Sequence, residues 1–214
     1  MEIIWRGHAF FEILTKTKKI AIDPFSEKIG LKVPKIKTDI LLITHDHYDH
    51  NEKKVVSGDY FLIDKPGEYE IGGIFIYGIE SFHDDKEGKE RGKNTIYVIE
   101  AEGLRICHMG DFGQKELTEK QKEKLLSLDI LMIPVGGVYT IGPKEAIKII
   151  NEIEPKIVIP MHYFVEGLKI KLAKVDEFLK AFGEKKITPI ESFKIKKGEV
   201  LPETTKVVLL EIKK

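Results

Sequence analysis

A disulfide within the chain is excluded, because the sequence contains a single cysteine, Cys107. Proteins whose thiols stay reduced are typical of intracellular compartments, so we expect a cytoplasmic protein. Cys107 lies in a predicted strand among apolar neighbours. We therefore expect its thiol to be buried and inert rather than a nucleophile.

The sequence also lacks long hydrophobic runs and an excess of charge of one sign. Its apolar runs are no longer than a strand, which argues against a membrane span, and residues 1–6 lack the pattern of a signal peptide. The formal net charge is +0, so nothing favours nucleic acid as an obligate partner. We expect a small-molecule substrate, and the sequence leaves the oligomeric state open.

Amide side chains are scarce, with two glutamines and three asparagines in 214 residues, whereas charged residues reach 33%. This composition is typical of thermophilic proteins. The length suits one domain with a sizeable core. Since no linker or low-complexity tract divides the chain, we predict a single domain spanning residues 1–214.

The most informative stretch follows the apolar segment 39–44, which we predict to be a buried strand. Three histidines and an aspartate then come in the pattern H-x-H-x-D-H, as His45, His47, Asp49 and His50. Such polar side chains at a strand end need partners, and a metal ion supplies them. A solvated polar loop is the alternative, but a lone histidine would suit that alternative better than this cluster does.

Strand-like segments dominate the rest of the chain. The predicted strands are 3–5, 9–14, 19–22, 39–44, 60–63, 74–82, 94–100, 104–109, 129–135, 156–160, 193–195 and 206–212. Helices are predicted from Thr118, with Gln121 completing a capping box, from Pro143, and from Leu172 to a stop at Gly183. This order predicts central sheets with helices outside.

More histidines and aspartates follow other predicted strands. They are Asp23, His83, Asp111 and His162. Because ligands gather outside the carboxyl ends of strands in open α/β sheets, we expect these side chains to meet at one edge. They suggest two ions, the first held by His45, His47 and His83, the second by Asp49, His50 and His162. Asp111 would lie between the two ions, with one carboxylate oxygen on each.

The segment 44–50, Thr-His-Asp-His-Tyr-Asp-His, resembles the signature of the metallo-β-lactamase superfamily. Four further matches to the family's motifs follow its order, at 22–24, His83, 110–111 and His162. The segment 7–10 resembles the prokaryotic branch of Zn-dependent hydrolases related to ascorbate-6-phosphate lactonase and N-acyl-phosphatidylethanolamine phospholipase D. The resemblance implies an α/β fold, a four-layer αββα sandwich. It also implies two divalent ions, zinc first, with manganese or iron as alternatives.

Two histidines compete for the first ion site, His83 and His108. The family pattern favours His83 and leaves His108 in the pocket wall. Asp23 is expected to accept a hydrogen bond from a ligand histidine rather than to bind metal. His8 has two interpretations, as a pocket residue or as a structural histidine.

Two loops near the predicted strand ends have open roles. Tyr139 and Thr140 either face the substrate or form a plain loop before a helix. Arg91, Lys93 and Asn94 belong to a charged, glycine-containing segment, and a solvated loop suits them better than contact with an anionic substrate.

The predicted function is hydrolysis of an ester, lactone or phosphodiester bond by a hydroxide that bridges two metal ions. Asp49 is expected to orient the hydroxide and shuttle its proton. A metal-binding scaffold or sensor with little turnover is the alternative. A flavo-diiron protein is disfavoured, since those relatives carry Glu where this chain has His47.

Overall fold

The computed structural model describes residues 1–196 and 198–213. Its strands are β1 (Glu2–Gly7), β2 (Phe10–Leu14), β3 (Lys19–Ile22), β4 (Ile36–Lys37), β5 (Ile40–Leu42), β6 (Val56–Ser57), β7 (Phe61–Ile63), β8 (Gly67–Ile71), β9 (Ile74–Phe82), β10 (Lys93–Ala101), β11 (Leu104–His108), β12 (Ile130–Pro134), β13 (Ile157–Met161), β14 (Phe193–Lys194) and β15 (Lys206–Val207). The α-helices are α1 (Glu119–Lys124), α2 (Pro143–Ile153) and α3 (Val175–Phe182).

Two sheets form the centre of the molecule. The first has the order β14-β1-β2-β3-β5-β7, and the second has the order β15-β13-β12-β11-β10-β9-β8. In the first sheet β3, β5 and β7 are parallel, and β1 runs the same way because β2 is antiparallel to both β1 and β3. In the second sheet β11, β12 and β13 are parallel, and β9 shares their direction across the antiparallel β10. Each sheet therefore collects the chain segments that follow these strands at one edge.

Successive side chains of a strand point to opposite faces of the sheet, and in the first sheet both faces are buried. Phe11 and Ile20 belong to the main core, together with residues of the second sheet and of α2 and α3. Phe10, Ala21 and Leu41 point the other way, into a smaller core that two one-turn 3₁₀ helices and their neighbouring loops help to cover. The predicted α/β arrangement, with sheets at the centre and helices outside, is confirmed. The single-domain prediction stays a prediction, which the continuous main core favours.

The predicted helix signals act as expected. Thr118 and Gln121 form the capping box, α2 begins at Pro143, and α3 ends at Gly183, whose φ is +95°. Strand β8 lies outside all predicted strands, because its Pro66-Gly67 start is typical of a turn. Strand β15 is shorter than the predicted segment 206–212. No helix in the described part of the chain has the length and apolar character needed to cross a membrane.

Tyr97 connects the two sheets beneath the site. Its side chain is fully buried on β10, and its hydroxyl lies 3.0 Å from the carbonyl of Ile43 and 3.1 Å from that of Ile63. Both carbonyls belong to the first sheet, at the ends of β5 and β7. Burial raises the pKa of the Tyr97 hydroxyl, which keeps it a donor. This contact fixes the chain immediately before Thr44 and His45.

Replacement of Tyr97 by phenylalanine should lower the free energy of unfolding by about 1–3 kcal/mol, because it removes the hydroxyl that donates to the buried carbonyl of Ile43. The carbonyl of Ile63 still accepts from the Ile43 N–H. Denaturant unfolding measures the change. Tyr77→Phe on the adjacent strand is the control, since no partner for its hydroxyl is found among the described residues. Equal losses in the two variants would contradict this role of Tyr97.

Candidate metal centre

Asp23 organises the loop that follows β5. Its side chain is fully buried and its backbone has a φ of +53°, an uncommon conformation for a residue other than glycine. Its Oδ1 accepts from the Thr44 backbone N–H at 2.8 Å, and its Oδ2 accepts from the Thr44 hydroxyl at 2.6 Å. The same Oδ2 lies 3.0 Å from Nδ1 of His50. As predicted, Asp23 thus contacts a histidine ring of the motif.

These contacts also set which nitrogen of each ring faces the site. The Thr44 hydroxyl proton is directed at Asp23, so its oxygen accepts from Nδ1 of His45, 3.0 Å away. Nδ1 of His50 donates to Asp23 directly. Both histidines therefore keep the lone pair of Nε2 free, as metal coordination requires. Thr44 belongs to the sequence motif, but the sequence did not predict that its hydroxyl orients the ring of His45.

Asp111 lies where the two sheets meet. Its Oδ2 is 3.1 Å from Nε2 of His83 and 3.2 Å from Nε2 of His162, and its Oδ1 is 3.2 Å from Nε2 of His50. Nε2 of His45 is 4.0 Å from Oδ2. One carboxylate therefore touches histidines from three strand ends, the central position expected for Asp111.

Asn94 holds the backbone at Asp111 in place. Its side chain is buried, its Oδ1 accepts from the Asp111 backbone N–H at 3.0 Å, and its Nδ2 donates to the carbonyl of Met109 at 2.8 Å. The expectation of a solvated loop at Asn94 is therefore wrong, whereas the predicted strand 94–100, which begins at this residue, is confirmed. A polar residue next to a charged segment gives no sign of the hydrogen bonds that bury it.

The competition between His83 and His108 is decided by where their ring nitrogens lie. Nε2 of His108 donates to the carbonyl of Ala9 at 2.9 Å, and its Nδ1 accepts from the Gly110 N–H at 3.1 Å. Both nitrogens of His108 are thus occupied by the backbone. The ring of His83 lies beside the rings of His45 and His47, with centroids 4.8 and 5.1 Å away.

His8 lies on the opposite side of the cluster. It is fully buried with a φ of +53°, and its Nε2 is 3.3 Å from Oδ2 of Asp49. Its ring centroid is 4.2 Å from that of His162, and its carbonyl accepts from the His162 N–H at 3.1 Å. His8 therefore lies within a group of candidate ligand atoms, and both interpretations of its role stay predictions.

The electrostatics suit a cation. Burial lowers the pKa of His45 well below its ordinary value, and burial and His162 lower that of His8 to about 4. Burial opposes ionisation of Asp111, but His162 and His50 outweigh it and hold its pKa well below the usual value. His50 differs, since Asp111 and Asp23 raise its pKa against burial. The carboxylate of Asp111 is thus kept ionised and the rings of His8 and His45 neutral, the forms that bind metal.

The donor atoms form overlapping groups, each with all ligand atoms within 4.8 Å of one another. The groups are His45, His47 and His83; His8, Asp49, His50 and His162; and His45, His50 and Asp111. Several buried atoms of this cluster lack a hydrogen-bond partner within the described residues, namely Nε2 of His45 and His50, Nδ1 of His8, His83 and His162, and Oδ1 of Asp111. Such a concentration of unsatisfied buried donors and acceptors is what a bound ion would satisfy.

A cleft of about 500 Å³ opens onto the cluster. It is lined by His47, Tyr48, Asp49, His83, Arg91, Asp111, Tyr139, His162, Lys169, Ile170 and Lys171. Tyr139 therefore faces the cleft, whereas Thr140 lines a neighbouring one of about 380 Å³. The sequence pattern missed residues 169–171, because they follow no predicted strand end.

Comparison with known proteins agrees with the geometry. Residues 2–162 match the family described as the β-lactamase superfamily domain. The chain belongs to the metallo-β-lactamase superfamily. A UPF0173 metal-dependent hydrolase of Thermococcus onnurineus is 32% identical over 94% of this chain and 99% of its own length. The predicted enzyme class, a metal-dependent hydrolase of this fold, is confirmed.

Solved structures show the same relationship. A Thermotoga maritima protein described as a Zn-dependent hydrolase of this superfamily is 37% identical, covers 98% of this chain and 97% of its own, and superposes with a TM-score of 0.80. An isothiocyanate hydrolase from Delia radicum gut bacteria has a TM-score of 0.71 at 16% identity, over 92% of this chain and 100% of its own. The second likeness shows a shared fold alone.

Gly110 is required where the strands from both sheets approach each other. Its φ is +57°, and a Cβ there would meet Oδ1 of Asn94 and lie 2.7 Å from Cβ of Thr44. Gly110→Ala should therefore lower the free energy of unfolding by about 1–3 kcal/mol more than Gly103→Ala does. Gly103 is the matched control, because its φ is +81° but a Cβ there meets nothing within 4 Å. Denaturant unfolding of both variants gives the difference. Equal losses of unfolding free energy would show that the contact of the new Cβ with Asn94 and Thr44 costs nothing.

Proposed function

We propose that the chain is a dinuclear metal hydrolase that cleaves an ester, lactone or phosphodiester bond of a small molecule. The observation that carries the proposal is the position of Asp111, whose two oxygens approach different histidines of two adjoining donor groups. A single carboxylate between two such groups is the arrangement that bridges a pair of ions.

The first ion would be held by His45, His47 and His83, and the second by Asp49, His50 and His162. Asp111 would contact both. Zinc is our first choice for this set of imidazole and carboxylate ligands, although manganese and iron also accept it. When bound, such ions lower the pKa of water and stabilise negative charge that develops on the scissile group.

The remaining steps belong to this chain's own side chains. Asp49 lines the cleft, and its pKa lies well below the usual value, because the His8 hydrogen bond and the charge of His50 outweigh its burial. Its ionised carboxylate would orient the nucleophilic water by accepting a hydrogen bond from it. A carboxylate of low pKa is a weak base, so it would accept the proton only where bound ions make the water more acidic. His8 holds the carboxylate in that position through the contact between Nε2 and Oδ2. Asp23 and Thr44 fix the rings of His50 and His45.

We infer a cytoplasmic location, and the free thiol of Cys107 is compatible with a reducing compartment. Cys107 is the sole cysteine, it is fully buried on β11, and burial raises its pKa. An unreactive thiol needs no oxidising compartment.

Metal analysis after reconstitution tests the proposal. Purified chain reconstituted with Zn²⁺ or Mn²⁺ should bind two ions and hydrolyse members of a panel of p-nitrophenyl phosphodiesters and lactones. Asp49→Ala should lower turnover at least a hundredfold, because it removes the orienting carboxylate. One ion or fewer per wild-type chain would refute the dinuclear site, and unchanged turnover would remove Asp49 from the mechanism. Two bound ions without any turnover would favour the scaffold or sensor.

The role of His8 has its own test, the affinity for the second ion. His8→Asn suits the positive φ of this position but is too short to reach Asp49, so the second ion should bind about 10–100-fold more weakly. Competition with a chromophoric chelator measures the affinity. His108→Asn is the matched control, because His108 is equally buried but both of its nitrogens bind backbone groups. Equal affinities for the second ion in His8→Asn and the wild type would contradict the role.

A further inference from the structure

The charged residues that line the cleft at the candidate metal centre fall into an acidic and a basic group. The acidic residues that line it are Asp49 and Asp111, and both belong to the candidate ligand set. The other charged residues there are Arg91, Lys169 and Lys171. Two divalent ions would more than neutralise the two carboxylates, so the cleft beside them would be positive.

We propose that these three cations bind an anionic group of the substrate, a carboxylate or a phosphate that is separate from the scissile bond. The proposal deepens the function proposed above and rests on it, since the scissile bond must lie at the ions while the anion lies along the cleft. It names the substrate class as an ester, lactone or phosphodiester that carries a second, uncleaved anion.

Arg91 is held at the cleft by a structured turn rather than a free loop. The carboxylate of Asp84 accepts from the backbone N–H groups of Lys86, Gly88, Glu90 and Arg91 at 2.7 to 3.0 Å. These four hydrogen bonds to one carboxylate fix the backbone of the turn that carries Arg91. The guanidinium of Arg91 lies over the ring of Tyr139, 5.3 Å from its centroid, which further limits its freedom.

The two lysines project from a loop that is anchored on both sides of them. Leu168 and Leu172 are buried in the smaller core, so the residues between them lie on its outer surface. The N–H of Lys169 donates to the carbonyl of Ile29 at 2.7 Å. Gly30 lets the loop come this close, because a Cβ there would meet the carbonyl oxygen of Gly167 and lie 2.9 Å from Cγ of Lys169.

The charges of the lysines are available to a ligand. Neither Lys169 nor Lys171 forms an ion pair within the described ranges 1–196 and 198–213, and both are exposed. The nearest carboxylate contact of Arg91 is Oε2 of Glu90, 4.0 Å away at the limit of an ion pair. A guanidinium and two ammonium groups that line one cleft suit a compact anion.

The test uses three phosphonates that cannot be hydrolysed. Propylphosphonate carries one anion for the ions, whereas 3-phosphonopropionate and propane-1,3-diphosphonate add a carboxylate or a second phosphonate. Calorimetric titration of the zinc-loaded wild type at low salt should show that at least one of the two probes with a second anionic group binds about tenfold more tightly than propylphosphonate. The probe with the larger gain identifies the anion as carboxylate or phosphate.

The gain should vanish in the variant Lys169→Gln/Lys171→Gln and fall in Arg91→Gln, with metal content unchanged. Lys185→Gln/Lys186→Gln is the matched control, because it removes the same charge from exposed positions that do not line the cleft. Equal binding of all three probes by the wild type, a gain that survives in Lys169→Gln/Lys171→Gln, or no binding at all overturns the anion site. A gain that depends on the lysines, in a protein that hydrolyses no probe of the activity panel, supports the anion site and counts against the proposed cleavage of esters, lactones or phosphodiesters.

Discussion

The buried carboxylate of Asp23 is the interaction on which the site depends. A fully buried aspartate is costly unless its oxygens are satisfied, and here they accept from Thr44 twice and from His50. Those contacts fix the start of the loop after β5 and direct Nε2 of His45 and of His50 at the same point. Removing the carboxylate would leave both rings free to rotate. The positions of the candidate ligands from the first sheet therefore depend on one residue, Asp23, that belongs to none of the candidate ligand groups.

The second constraint is the shared direction of the strands. Segments after β1, β3 and β5 of one sheet meet segments after β9, β11 and β13 of the other, so a cluster forms from residues far apart in sequence. Tyr97 and Asn94 connect these segments by buried hydrogen bonds. The backbone has an uncommon positive φ at His8, Asp23 and His162, all within this cluster. Local strain of this kind persists only where the surrounding structure holds it, and it is concentrated at functional sites.

The chemistry follows from how charge is distributed along the cleft. At its base, ionised carboxylates and largely neutral imidazoles are the ligands that a pair of divalent cations would need. Along its walls lie Arg91, whose backbone N–H donates to the carboxylate of Asp84, and Lys169 and Lys171, which form no ion pair among the described residues. A positive wall next to a hydrolytic centre selects substrates by charge, and that selection is separable from the cleavage step. The ligand set and the wall can therefore change independently within one fold.

The sequence by itself determined most strands, all three helices and the candidate ligands, because apolar runs ending in His or Asp and helix caps are local signals. The sandwich fold was implied by the resemblance of the motifs to the metallo-β-lactamase superfamily. The motif from His45 to His50 indicated its chemistry without any structure. Only the tertiary structure decided that His83, not His108, joins the cluster, because the choice depends on which backbone groups each ring meets. It also decided the positions of Asn94, Arg91 and Lys169. Their placement depends on strand pairing and loop anchoring between distant segments, and no local pattern of residues records such contacts.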